Sequence, residues 1–185
     1  MRTRVRRLIE AGVPWVSFRD HHADADRFLH DAEALAADLR RANPDVLLSV
    51  HGRLMVARRL GAGLHVGQRG ASLAEAVGAG LDGPVGVSVH APEAVRSAGD
   101  AGAAYVTLSP LFPTQTHPEA IPLGIPALRR AVEGSTLPVL ALGGLTPVRG
   151  RQVRLGGAHG VAVLSGLLDA PDPTAAVAAF LNALV

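Results

Sequence analysis

The residue types most suited to chemistry gather in one stretch, AYVTLSPLFPTQTHPEAIPLG at residues 104–124, where an apolar run breaks into a long loop carrying Thr114, Thr116 and His117. Hydroxyls and an imidazole in one polar loop are groups for hydrogen bonding and proton transfer. A loop of about a dozen residues is long enough to be functional or disordered rather than a plain connector. Further candidates end short apolar runs: Arg19 after WVSF, His51 after LLSV, Gln68 after GLHVG, and Ser88 with His90 in VGVSVH. Arg19 is expected to be partly buried, with a bound carboxylate or phosphate as its partner, or else an ion pair with Asp20. His51 and His90 each suit either a ligand contact or a packing role. His65, His30 and His159 suit packing or the surface. His21-His22 has no second cluster at ligand spacing and makes no metal site. Two glycine-bearing ends, Gly143-Gly144 and Ser165-Gly166, suit a phosphate held by backbone N–H groups, because glycine lets an anion approach closely; a plain tight turn is the alternative for the pair.

Such residues need elements to position them. Short β-branched runs alternate with longer Ala/Leu/Arg segments, the pattern of a parallel α/β sheet. Strands are predicted at 15–19, 45–51, 63–67, 84–90, 104–110, 138–144 and 160–166. Helices are predicted at 2–12, 24–42, 53–61, 72–80, 91–102, 125–134, 147–157 and 173–184. Eight helices, seven strands and a helix first is the count of a TIM (β/α)8 barrel lacking its first β-strand. The chemistry of such a barrel lies where strands end, which is where the candidates fall. An open doubly wound sheet is the rival, weakened by the lack of a GxGxxG fingerprint.

Composition narrows the class further. The chain has 185 residues, 48% of them hydrophobic, enough for one domain, 1–185, with a substantial core. Six residues are aromatic, so Ala, Val and Leu must fill it. Cysteine is absent, which excludes thiolate chemistry. All 18 basic residues are arginine, so no lysine Schiff base or lysine general base is available. The arginines are spread along the chain rather than clustered among aromatics, which argues against nucleic acid. No apolar stretch reaches the roughly 18 residues of a membrane span, and the expected setting is the cytoplasm.

The ordered segments SFRD (17–20), HGR (51–53), GLHVGQ (63–68), GVSVH (86–90), YVTLSPLFPTQTH…PLG (105–124), VLALGGLTP (139–147) and GVAVLSG (160–166) resemble the thiamine phosphate synthase superfamily across nearly the whole chain. The resemblance implies the barrel and offers two activities. Synthases of the family hold Mg2+ with an Asn-Asp pair after one strand and an Asp shortly after the Gly-Gln; here those positions read His51-Gly52 and Gly70. Where synthases place a lysine in the long loop, this chain has His117. The sequence therefore looks more like the TenI-like thiazole tautomerase branch, which aromatises a thiazole carboxylate phosphate by metal-independent proton transfer. On that expectation His117 moves the proton and Arg19 faces the substrate carboxylate. The backbone at Gly143, Gly144, Leu164 and Ser165 holds the phosphate, while His51, Gln68, Ser88, His90, Thr114 and Thr116 line the pocket. The implied partner is a phosphorylated thiazole, in a possible homodimer, with no cofactor. The alternatives are a synthase, which would call for Mg2+, and a non-catalytic binder of a thiazole or thiamine phosphate.

Overall fold

A computed structural model describes residues 2–116 and 118–185, in which α-helices and parallel strands alternate after an initial helix until two helices close the chain. The chain divides into two compact units, one up to Val85 and one from Gly86 onward.

In the first unit, helix α1 (Arg2–Glu10) turns Leu8 and Ile9 inward, and α2 (Ala25–Ala42) buries Phe28, Ala32, Leu35, Ala36 and Leu39. That spacing follows one helical face. The Asp24 side chain caps α2 by accepting the backbone N–H of Arg27 at 2.8 Å. Ile9, Leu35 and Leu39 form a core against which Val16, Phe18 and Leu48 pack. Strands β1 (Trp15–Phe18), β2 (Leu47–His51) and β3 (Gly63–Val66) pair in parallel, with Ser17 beside Ser49 and His51 beside His65. Every residue of β3 is buried, His65 included, as expected of a parallel strand covered on both faces. Helices α3 (Leu54–Leu60) and α4 (Leu73–Gly78) follow β2 and β3.

In the second unit, β4 (Val85–Val89, in this unit from Gly86), β5 (Tyr105–Leu108), β6 (Val139–Leu142) and β7 (Gly160–Ala162) also run parallel, with Ser88 beside Thr107. The helices are α5 (Ala94–Asp100), α6 (Gly124–Glu133), α7 (Pro147–Leu155), α8 (Ser165–Leu168) and α9 (Pro173–Leu184).

All seven strands arise where the sequence puts them, several shorter than expected. The last differs most. Only Gly160–Ala162 pairs with β6, after which the chain turns at Leu164 into α8, a ninth helix among the described residues that the apolar run GVAVLSG conceals.

Candidate functional site

The strand ends of the first unit hold a connected polar cluster. Side chains two apart on a strand share a face, so the register sets Trp15 and Ser17 of β1, Ser49 and His51 of β2, and His65 of β3 on one face. The Trp15 indole N–H donates to Ser49 Oγ at 3.2 Å, Ser49 Oγ donates to Ser17 Oγ at 3.0 Å, and Ser17 Oγ lies 2.8 Å from His51 Nε2. The His51 and His65 rings lean on each other with centroids 4.6 Å apart. Burial, the neighbouring His65 and the Arg19 charge push His51 down to about 3. Burial and Arg19 push His65 down to about 4. Both imidazoles are therefore neutral at ordinary pH.

Arg19 differs from its expectation. Strand β1 ends at Phe18, so Arg19 stands beyond the apolar run and is exposed, and its Nε donates to His21 Nε2 at 2.6 Å. Asp20 is occupied elsewhere: its Oδ1 accepts the backbone N–H groups of His22 and Ala23 at 2.8 and 3.1 Å. Those bonds hold its carboxyl below the usual carboxylate range. Gln68 is exposed just after β3.

In the second unit, His90 sits exposed after β4, its Nδ1 2.8 Å from the Ser109 carbonyl. A carbonyl only accepts, so Nδ1 carries the proton and a neutral His90 presents Nε2 as an acceptor. Thr107 Oγ1 donates to Ser88 Oγ at 3.3 Å. The long loop after β5 is tied at its base. Leu111 N–H donates to the Leu142 carbonyl at 2.9 Å and Phe112 N–H to that of Gly143 at 3.2 Å; on the return, Leu123 N–H donates to the Pro110 carbonyl at 2.9 Å. Thr114 is half-buried and Thr116 exposed, with Thr116 N–H 3.4 Å from Thr114 Oγ1. His117, the expected proton carrier, lies outside the described residues.

Gly143 and Gly144 adopt φ of +99° and +63°. A Cβ on Gly144 would lie 2.3 Å from the Pro113 carbonyl oxygen, so glycine is required here for the close approach of the long loop. Arg149 fastens the same turn: it donates to the Gly144 carbonyl at 2.6 Å, and its guanidinium lies 4.8 Å from the Phe112 ring centroid. Leu164 and Ser165 are exposed at the start of α8.

His30 and His159 are exposed and His65 is buried, as their contexts suggest. Among the described residues, no group of three or more His, Asp or Glu side chains could hold a metal ion. Likewise, no helix is long and apolar enough to cross a membrane. Sequence reading missed Trp15, Ser17 and Ser49. Their signal was present in the segments WVS, SVH and GLH, whose polar members recur at the same two-residue phase on three successive strands.

Comparison with known proteins places these features in context. The model of the family described as thiamine monophosphate synthase matches residues 1–167. A thiamine-phosphate synthase of Chloroflexus aurantiacus is 37% identical over 97% of this chain and 85% of its own length. The thiamine biosynthesis bifunctional protein ThiM/ThiE of Symbiobacterium thermophilum is 36% identical over 95% of this chain, which spans only 37% of that protein. A solved thiamine phosphate pyrophosphorylase from Pyrococcus furiosus, 27% identical, superposes with a TM-score of 0.89 over 99% of this chain and 88% of its own. The α/β fold expected from the sequence, of the TIM-barrel kind, is the fold of that protein. These findings overturn the tautomerase expectation: close relatives bear the name of the synthase. Departures at His51 and Gly70 do not outweigh agreement along the whole chain.

Proposed function

This chain belongs to the thiamine monophosphate synthase family, and we propose that it is an enzyme of the synthase kind. It would join a hydroxymethylpyrimidine pyrophosphate to a thiazole phosphate. In that reaction a C–N bond forms between the thiazole ring nitrogen and the pyrimidine methylene carbon while the C–O bond to pyrophosphate breaks. The observation that carries the reading is the agreement, at 37% identity over 97% of the chain, with a protein named for that activity.

The residues of each unit suit anionic ligands. In the first, Arg19 offers a guanidinium whose terminal amino groups can take phosphate oxygens in bidentate fashion. In the second, the glycine turn at Gly143-Gly144 and the backbone at Leu164 and Ser165 suit a phosphate. His90, anchored through Nδ1, offers an acceptor nitrogen to a donor group on a heterocycle.

The residues do not fit the Mg2+ that the family resemblance implies. Magnesium demands hard oxygen ligands in octahedral array. The first unit offers imidazoles instead, and the Nε2 of His51 is engaged by Ser17. No step of the reaction is therefore assigned to a protein-bound metal.

The test supplies the pyrimidine pyrophosphate and the thiazole phosphate together, with Mg2+ present, and follows thiamine phosphate by chromatography. Time-dependent product that falls at least about 10-fold in Arg19→Ala is the expected result. No product under any condition overturns the reading.

A further inference from the structure

We infer that the ends of β1, β2 and β3 form an oxyanion site that needs no divalent cation, in which a one-way hydrogen-bond relay from Trp15 through Ser49 and Ser17 makes His51 a donor. The inference deepens the synthase reading and rests on it only for the nature of the anion, a diphosphate.

The relay starts from a group that can only donate. An indole N–H can only donate, so Ser49 Oγ must accept from Trp15 and spends its own hydrogen on Ser17. Ser17 Oγ accepts from Ser49 and lies 2.8 Å from His51 Nε2, and the inferred relay directs its hydrogen onto that nitrogen. A ring nitrogen that accepts carries no proton, so the proton of neutral His51 resides on Nδ1. The same reasoning applies to His21, whose Nε2 accepts from Arg19 Nε and whose proton therefore also resides on Nδ1.

The cluster thus carries a guanidinium and two imidazole N–H donors. Its nearest carboxylate in sequence, Asp20, is held by two backbone N–H groups. Such a set suits phosphate oxygens, and among the described residues no group of three or more His, Asp or Glu side chains gathers to hold a cation. The lone pair of His51 that a softer metal could use is already committed to Ser17. The parallel register makes the arrangement rigid, because Ser17 beside Ser49 and His51 beside His65 fixes all four side chains on the sheet.

The test uses the full 15N-labelled chain in EDTA, with inorganic pyrophosphate as the probe. Long-range proton–nitrogen spectra are expected to show His51 with a protonated Nδ1 and a bare Nε2, and pyrophosphate is expected to shift the Nδ1 resonance. Trp15→Phe removes the head of the relay, and Ser17→Ala, at an exposed position that tolerates truncation, removes its last link. Each is expected to mix the His51 tautomers and to weaken pyrophosphate binding roughly 3- to 10-fold. The electron spin resonance signal of free Mn2+ is expected to be unchanged by addition of the chain.

A His51 protonated on Nε2 overturns the inference. So does pyrophosphate binding that appears only with Mg2+, or Mn2+ capture that is lost in His51→Ala. None of these readouts involves turnover. Absence of the condensation reaction alongside the expected spectra therefore overturns the synthase reading and leaves the anion site standing.

Discussion

Gly144 carries two constraints at once. Its φ of +63° lies where side chains are strained, and the space its Cβ would need holds the carbonyl oxygens of Pro113 and Phe112, at 2.3 and 2.9 Å. Gly144→Ala should therefore cost about 1–3 kcal/mol or more of stability, read as a lower urea midpoint at unchanged slope. A midpoint within error of the parent would mean that the loop gives way freely. The glycine pair was conspicuous in the sequence, yet its packing role was not, because the atoms it accommodates belong to a loop about thirty residues earlier in the chain. Arg19 failed differently. Its burial was inferred from the strand before it, and one residue of strand length decides whether a side chain faces core or water.

At the level of elements, short β-branched runs alternating with longer Ala/Leu/Arg segments made the strands and most helices legible. Helix α9 begins where Asp172-Pro173 announces it. The Asp172 carboxylate accepts the backbone N–H groups of Thr174 and Ala175 at 3.0 and 3.2 Å. Asp172→Ala should lower stability by about 1 kcal/mol, and Asp172→Asn by much less, in paired thermal melts. Equal losses in both would point to the charge rather than the cap. Helix α8 was illegible because Val163 and Leu164 continue a strand-like composition beyond Ala162, where pairing with β6 ends. Composition records an apolar run, whereas pairing depends on whether a partner strand is still there.

For the molecule as a whole, the core follows its composition. Alanine, valine and leucine dominate it, and Phe28, Tyr105 and Phe180 are its only buried aromatics among the described residues. The neutral histidines leave a mark on global stability. His51 and His65 bind protons only near pH 3 and 4 when folded, against an ordinary value of 6.5. Below about pH 6.5 the unfolded chain takes up protons that the folded chain refuses. Stability from this source is thus complete above that pH and is lost as pH falls toward the folded values. Urea midpoints should decline from about pH 7 to pH 4, and more shallowly in His65→Gln. Identical slopes in the two proteins would place the acid sensitivity elsewhere. The relay that orders this region begins at Trp15, the sole tryptophan of the chain. Its intrinsic emission is thus an unlabelled optical gauge at the head of the relay, able to register ligand arrival or imidazole protonation in a stopped-flow trace without disturbing the molecule.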